Sequence, residues 1–242
     1  MKKAALYVHG RIIIGFNHGD AFGKLTEVEQ HEFIISGFYD PETEEFVADS
    51  TEDHFYDKDM YLIRHAEVQD QNNPDTEISD SGAEQAEKLG SFLLRTLDLK
   101  EYTFLTSPFL RCLQTAQILH QVTNLKFEVV PGVMETPTDC CVSTFCLKNH
   151  KDQFPEFEWP TSQDWNLKPE PPETFLNRIK QTLHGLPHKA IIVTHFGTIF
   201  NMARLSLCNN KASTIADNGL PPGSVISINR KKMECLEYED DS

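Results

Sequence analysis

The strongest constraint on the fold lies in residues 60–242, where short apolar runs alternate with segments of helical periodicity. Met60–Arg64 and Ala190–Thr194 have the length and composition of buried strands. After Ser79, a residue type that often caps helices, apolar residues recur every three or four positions. Buried strands separated by helices are typical of a parallel sheet with crossover connections. The pattern predicts a three-layer α/β/α sandwich around a mostly parallel central sheet.

The other elements of this region follow the same alternation. A helix is predicted from Ser107-Pro108, with Ser107 as its cap, to about Gln121, and another over Glu173–Leu183. Further strands are predicted at Tyr102–Thr106, Leu125–Val130, Ser224–Asn229 and Lys232–Leu236.

Residues 1–59 differ in character and contain 13 acidic and 5 basic side chains. Asp40-Pro41-Glu42-Thr43 is suited to a hairpin turn, because Pro favours the second position of common turns. Candidate short strands in this region are Ala5–Val8, Arg11–Phe16, Phe33–Tyr39 and Glu45–Ala48. We therefore predict an acidic, β-rich N-terminal extension over residues 1–59 and a second domain over residues 60–242.

The net charge of −15 disfavours nucleic acid as a partner, because the field of the protein repels a polyanion. No apolar run approaches the roughly 20 residues of a membrane span, and Ala4–Val8 is too short for the core of a signal peptide. The six cysteines are scattered, which favours reduced thiols. We expect a cytoplasmic protein that binds neither nucleic acid nor membranes.

Cationic and imidazole side chains follow three of the predicted strands. Arg64 and His65 end one strand, Arg111 lies in the first turn of the helix after the next, and His195 directly follows Ala190–Thr194. Ligands of open α/β sheets bind at the carboxyl edge, and arginine forks match phosphoryl oxygens. The residues therefore suit a pocket for a compact dianion, although scattered surface charges and core histidines explain the strand ends equally well.

Four sequence blocks decide between these interpretations, because together and in this order they resemble the histidine phosphatase superfamily, also called phosphoglycerate mutase-like. The blocks are Leu62-Ile63-Arg64-His65-Ala66-Glu67, Ile78-Ser79-Asp80-Ser81-Gly82-Ala83-Glu84-Gln85-Ala86, Ser107-Pro108-Phe109-Leu110-Arg111-Cys112-Leu113-Gln114-Thr115-Ala116 and Val193-Thr194-His195-Phe196-Gly197. Residues 1–59 have no counterpart in this resemblance.

The resemblance implies that His65 attacks a phosphomonoester and forms a covalent phosphohistidine. Arg64, Arg111 and His195 would bind the non-bridging phosphoryl oxygens, without a metal or a cofactor. Glu135 stands where the family usually supplies its proton donor, and Asp139 is the second candidate.

Departures from the family pattern leave alternatives. Ala66 replaces a usual glycine, and Phe196 separates His195 from Gly197. Gln71, a predicted substrate-binding residue, stands where mutase-like members carry asparagine, and the rest of their continuation is absent. Hydrolysis of a small phosphorylated molecule or a phosphoprotein is therefore favoured. The alternatives are a phosphomutase and a phospho-ligand or protein-binding module without catalysis. The oligomeric state stays open.

Two further patterns are weaker. Cys140, Cys141, Cys146 and His150 invite a zinc site, but the closely paired Cys-x-x-Cys spacing is missing. The stretch that contains Phe154, Phe157, Trp159 and Trp165 would either roof the active site, as the matching insert often does in the family, or pack as an ordinary long loop.

Overall fold

The computed structural model describes residues 58–73, 75–135, 150–161, 172–206, 220–229, 232–236 and 238, together with Lys24 and four N-terminal strands. The chain divides into two compact units, Met1–His54 and Phe55–Ser242. The boundary falls a few residues before the border at Asp59 that the sequence predicts.

The N-terminal unit contains an antiparallel four-stranded sheet with the order β2-β1-β3-β4. This confirms the predicted β-rich extension, although Pro41–Thr43 of the predicted turn lie outside the described residues. The strands are β1 Lys3–Val8, β2 Arg11–Gly15, β3 Ile35–Asp40 and β4 Glu45–Ala48.

The second unit contains a six-stranded sheet with the order β10-β9-β5-β8-β6-β7. Strands β5, β8, β6 and β7 are parallel to one another, and β9 and β10 are antiparallel to their neighbours. This confirms a mostly parallel central sheet. The strands are β5 Asp59–Arg64, β6 Thr103–Thr106, β7 Phe127–Val129, β8 Lys189–Thr194, β9 Val225–Asn229 and β10 Lys232–Leu236.

In the part of the chain that the structure describes, four α-helices accompany this sheet: α1 Asp80–Thr96, α2 Leu110–Thr123, α3 Pro172–Gly185 and α4 Phe196–Ser206. Ser79 caps α1 as predicted, because its side chain accepts a hydrogen bond from the Gly82 nitrogen. Helix α4 was not predicted.

The predicted start of α2 at Ser107-Pro108 is wrong, since the helix begins at Leu110 with Phe109 as its cap. The Ser107 hydroxyl lies 2.9 Å from Nε2 of His195, whereas its distance to the Phe109 nitrogen is longer, at 3.4 Å. The Ser107 hydroxyl therefore bonds to His195, a residue distant in the sequence, and does not cap the helix as the sequence pattern predicted.

Two pairs of helices cover the sheet. Helices α1 and α2 pack on each other, as do α3 and α4. Ile63, Phe104 and Val193 belong to the same hydrophobic cluster as Leu89 and Leu113 of α1 and α2. The neighbouring residues in the same strands are also buried but do not belong to this cluster: Leu62, Leu105 and Ile192. The buried residues of α3 and α4 do not belong to it either: Ile179, Leu183, Ile199 and Met202. Because successive strand residues face opposite sides, the helix pairs occupy opposite faces of the sheet.

The strand order brings the predicted reactive residues to one edge. Strand β8 lies between β5 and β6, with Arg64 opposite Thr194 and Thr106 opposite Val193. The carboxyl ends of all three strands therefore lie side by side. The site is built from the residues that follow them.

No helix in the described part of the chain is long and apolar enough to cross a membrane.

Candidate active site

The backbone of His65 is held from two sides at the end of β5. Its nitrogen donates to the Thr194 carbonyl at 2.9 Å, and the Gly223 nitrogen lies 3.1 Å from the His65 carbonyl and 3.2 Å from that of Arg64. Gly223 has a φ of 79°, a conformation that favours glycine. The turn at Gly223 therefore fixes the peptide that carries His65.

The His65 ring is buried and neutral. Its Nδ1 lies 2.9 Å from the Ala66 carbonyl, an acceptor, so Nδ1 carries the proton. Burial lowers the pKa of His65 to about 3, and the charges of Arg111 and Arg64 act in the same direction. The hydrogen bond to Ala66 acts in the opposite direction. Nε2 is consequently an unprotonated nitrogen with a lone pair.

Helix α1 supports the segment after His65. Gln85 accepts a hydrogen bond from the Glu67 nitrogen at 3.1 Å, and the Ser79 nitrogen donates to the Glu67 carbonyl at 2.8 Å. A Cβ on Gly82 would lie 2.2 Å from that carbonyl oxygen, so only glycine allows this approach. The second sequence block thus holds the segment that follows His65.

Helix α2 supports the same segment from another side. The Thr115 hydroxyl accepts from the Ala66 nitrogen at 3.1 Å, and Gln114 accepts from the Ile78 nitrogen at 2.8 Å. These contacts explain the Gln-Thr pair of the third block in physical terms: both side chains fix backbone beside His65.

Arg64 has a buried donor that no protein group among the described residues uses. Its Nη1 donates to the Leu220 carbonyl, and its guanidinium carbon lies 5.8 Å from the Phe196 ring centroid. Nε is buried without a hydrogen-bond partner among the described residues. Because buried N–H groups are nearly always paired, this one is available to a bound water or ligand.

Arg111 and His195 are linked directly. Nη2 of Arg111 donates to Nδ1 of His195 at 3.0 Å, so Nδ1 is the acceptor and the proton lies on Nε2. That Nε2 donates to the Ser107 hydroxyl at 2.9 Å, and Cys112 Sγ lies 3.4 Å from it. Burial, followed by the charge of Arg111, lowers the pKa of His195 well below its ordinary value.

The thiol of Cys112 is an inert neighbour of this ring. Cys112 is fully buried, and burial raises its pKa to about 12. The thiol therefore stays protonated at neutral pH.

Glu135 joins the site through the start of α4. Its Oε2 accepts a hydrogen bond from the Gly197 nitrogen at 3.1 Å, and a Cβ on Gly197 would lie 2.6 Å from Oε1. Burial lowers the pKa of both Arg64 and Arg111, while the Glu135 carboxylate acts in the opposite direction on both. Glu135 is thus within electrostatic reach of the two arginines.

The loop that carries Glu135 is bound by three side chains. Thr194 donates to the Val133 carbonyl, and Thr198 donates to the Met134 carbonyl at 2.9 Å. Arg178 of α3 donates to the carbonyls of Gly132 and Met134 at 2.7 and 3.1 Å. These bonds fix the position of the carboxylate relative to β8.

The structure brings five of the predicted site residues together, since contacts or charge effects connect Arg64, His65, Arg111, Glu135 and His195. The ring centroids of His65 and His195 are 5.4 Å apart.

The remaining candidates do not join this group among the described residues. Gln71 lies in an exposed turn and has no hydrogen bond to those five within the described chain. Asp139 and the three cysteines of the zinc pattern, Cys140, Cys141 and Cys146, lie outside the described residues. Where side chains are described, no cluster of three or more His, Cys, Asp or Glu residues could hold a metal.

The aromatic stretch packs against the sheet edge. Phe154 and Phe157 are buried in the hydrophobic cluster, and Trp159 donates to the Phe154 carbonyl at 2.9 Å. The backbone of Glu158 bonds to Phe127 and Val129 of β7. The packing interpretation therefore holds for these residues, while Trp165 lies outside the described chain.

Sequence reasoning missed the residues that position the site. Ser107, Gln114 and Thr115 lie inside the quoted blocks. Ser107 was assigned only to a helix cap, and the side-chain roles of the other two were not assigned. Thr198 and Arg178 are recognisable only after folding, because no local pattern indicates that they bond to the loop before Glu135.

Comparisons with known proteins bear on the family and on the fold. The family model described as histidine phosphatase superfamily (branch 1) matches residues 60–240. A mycobacterial glucosyl-3-phosphoglycerate phosphatase is similar with a TM-score of 0.51 and 16% identity, over 75% of this chain and 98% of that one. The ecdysone phosphate phosphatase of Bombyx mori, solved with tungstate, is similar with a TM-score of 0.56 and 16% identity, over 74% and 92%. No curated protein sequence matches the chain.

The burial of His65 predicts a specific dependence of stability on pH. With a pKa of about 3 when folded and 6.5 when unfolded, His65 contributes stability above pH 6.5 that is lost as the pH falls. The free energy of unfolding of wild type should fall between pH 8 and pH 5. In His65→Asn this fall should be smaller by about 2 kcal/mol.

Urea unfolding at several pH values measures this difference. The exposed Gln181 of α3 provides the control, since Gln181→Asn removes no titratable group and should retain the wild-type dependence. Equal pH dependence in His65→Asn and wild type would show that His65 is not buried as a neutral ring.

Proposed function

The chain belongs to the histidine phosphatase superfamily (branch 1), and we propose that it hydrolyses phosphomonoesters through a covalent phosphohistidine formed on His65. One observation carries the proposal. The Ala66 carbonyl holds the proton of the His65 ring on Nδ1, beside the charges of two arginines. A neutral imidazole with a free lone pair next to fixed positive charge is suited to attack a phosphoryl group.

The proposed binding of the phosphoryl group uses charge that the chain itself supplies. Arg64 has an unpaired buried Nε–H, and Arg111 is oriented by His195. Two guanidinium groups offset the charge of a phosphomonoester dianion, and we propose that the reaction needs no metal.

The contacts of His195 support a second role beside the one that the resemblance implies. Both of its ring nitrogens already have partners, Arg111 and Ser107. Contact with a phosphoryl oxygen would require Nε2 to exchange the Ser107 hydroxyl for that oxygen. Direct binding by His195 stays a prediction, whereas its hydrogen bond to Arg111 supports a role in orienting that guanidinium.

The proposed reaction has two steps. Nε2 of His65 forms a bond to phosphorus while the bond to the ester oxygen breaks, and Glu135 gives a proton to the leaving oxygen. Water then attacks phosphorus, Glu135 accepts its proton, and the P–N bond breaks to release phosphate and neutral His65. Glu135 thus returns to its protonated form.

Hydrolysis is preferred to the alternatives. The exposed position of Gln71 does not support a mutase-type contact beside the five grouped residues. A module without catalysis does not explain a buried neutral histidine between two arginines. The substrate is proposed to be a small phosphorylated molecule or a phosphoprotein, and the cytoplasm remains the predicted location.

The first test compares turnover of wild type, His65→Ala and the exposed control His184→Ala on p-nitrophenyl phosphate. Loss of the nucleophile should reduce turnover by about 10³-fold or more, while the control retains it. Wild-type turnover should also survive EDTA. Activity that EDTA abolishes and zinc or magnesium restores would contradict the metal-free mechanism, and normal turnover by folded His65→Ala would contradict the histidine mechanism.

The second test concerns Glu135. An alkoxide leaves only with a proton, whereas nitrophenolate is stable without one. Glu135→Gln should therefore slow hydrolysis of an alkyl phosphate by about 10²-fold or more and that of p-nitrophenyl phosphate far less.

Steady-state measurement of kcat/KM for both esters decides the role of Glu135, with Glu158→Gln as a control for loss of a surface carboxylate. Equal losses on both esters in Glu135→Gln would assign it a structural or binding role. The variant Asp139→Asn would then be measured with the same two esters.

A further inference from the structure

Arg178 is a half-buried cation of helix α3 to which the proposed mechanism gives no role. Its Nη1 donates to the carbonyls of Gly132 and Met134 at 2.7 and 3.1 Å. Its guanidinium carbon lies 4.9 Å from the ring centroid of Phe175, which precedes it by about one helical turn. Both carbonyls belong to residues 131–135, here named the acid loop, whose last residue is Glu135. A single nitrogen therefore bridges two peptide groups of the acid loop.

The Met134 carbonyl lies in the peptide unit that carries Glu135. It also accepts a hydrogen bond from the Thr198 hydroxyl of α4 at 2.9 Å. Donors from two helices thus converge on this one oxygen. Because a charged donor makes a stronger hydrogen bond than a hydroxyl does, Arg178 contributes the larger part of this restraint.

Helix α3 is close enough to the acid loop to support it. A Cβ on Gly132 would lie 2.1 Å from Oγ1 of Thr182, so the loop packs directly on the helix. The Thr182 hydroxyl in turn donates to the Arg178 carbonyl at 2.8 Å. Ile179 and Leu183 of the same helix are fully buried, which anchors α3 in the core. The position of the acid loop therefore follows the position of α3.

The carboxyl end of Glu135 is oriented separately. Its Oε2 accepts a hydrogen bond from the Gly197 nitrogen at 3.1 Å. An N–H donor favours the unprotonated oxygen of a carboxylic acid, so the acidic proton belongs on Oε1. The direction of Oε1 then depends on the backbone that Arg178 holds. A small shift of this backbone would move the proton away from the leaving oxygen, and misplacement by about 1 Å is enough to reduce a rate strongly.

An effect of charge is the alternative explanation for the presence of Arg178. Burial lowers the pKa of His195, and the charges of Arg111, His65 and Arg178 act in the same direction. Arg178 is therefore within electrostatic reach of the site. An effect through charge would alter the binding of the phosphoryl group, which every phosphomonoester carries. An effect through Glu135 would depend on the leaving group, so experiment can separate the two.

We propose that Arg178 is a positioning residue for general acid catalysis, because its hydrogen bonds to Gly132 and Met134 hold Glu135 where it can protonate the leaving oxygen. The proposal rests on the proposed phosphatase function, with Glu135 as the proton donor. It assigns the placement of that donor to helix α3, which none of the four sequence blocks includes.

The test compares kcat/KM for glycerol 3-phosphate, whose alkoxide needs a proton to leave, with kcat/KM for p-nitrophenyl phosphate. Arg178→Met removes the donor and the charge but keeps a long, unbranched side chain. It should slow glycerol 3-phosphate by about tenfold or more and p-nitrophenyl phosphate by about twofold or less. Equal losses on the two esters overturn the proposal and favour the charge explanation.

A double variant isolates the route through Glu135. In the Glu135→Gln background the proton donor is already gone, so adding Arg178→Met should slow glycerol 3-phosphate by no more than about twofold. If the two substitutions instead multiply, Arg178 acts independently of Glu135 and the proposal is overturned.

Lys180→Met is the matched control, because Lys180 is a cation of the same helix and forms no hydrogen bond to the acid loop among the described residues. It should leave kcat/KM unchanged for both esters. An ester-dependent loss in the control as large as that in Arg178→Met contradicts a specific role for Arg178.

If Arg178→Met does not fold, Arg178→Gln decides, since it shortens the side chain and removes the charge but keeps an amide donor. A larger loss on glycerol 3-phosphate than on p-nitrophenyl phosphate supports the proposal, and equal losses or none overturn it. Glu135→Gln that slows both esters equally also overturns it, while the phosphatase activity of wild type stands. Wild type that releases no phosphate from either ester contradicts the phosphatase function itself.

Discussion

The hydrogen bond between Nδ1 of His65 and the Ala66 carbonyl is the interaction on which the proposed chemistry depends. It places the proton on the nitrogen that does not attack and leaves Nε2 with its lone pair. The surrounding contacts preserve this bond: Thr115 fixes the Ala66 nitrogen, and the Gly223 turn fixes the His65 carbonyl. Contacts from two helices and a turn therefore fix the position of the peptide between His65 and Ala66.

Charge balance in the pocket follows from the same arrangement. A protein with a net charge of −15 concentrates two arginines beside a histidine that cannot readily be protonated. Their burial is unfavourable without a counter-charge, and an ionised Glu135 supplies part of it while no phosphoryl group is bound. The proposed reaction starts from protonated Glu135, so a bound phosphoryl dianion would then supply the counter-charge. The buried Nε–H of Arg64, which has no partner among the described residues, is consistent with that role.

The sequence predicted the sheet better than the helix ends and the supporting contacts. Apolar runs such as Ala190–Thr194 are visible because burial on both faces leaves no polar positions. The burial of His65 and its grouping with Arg111 and His195 required the strand order, which periodicity does not contain. Ser107 shows the limit most directly: local pattern favours a helix cap, whereas the folded chain uses its hydroxyl for His195.

The central claim is the covalent intermediate, and a rapid-quench experiment tests it most directly. Wild type mixed with a ³²P-labelled phosphomonoester and quenched in base within milliseconds should carry label that is stable to base and lost in acid. Peptide mapping should place that label on His65, and His65→Asn should carry none. Wild type that turns over substrate without any such label, or with acid-stable label on another residue, would contradict a phosphohistidine mechanism.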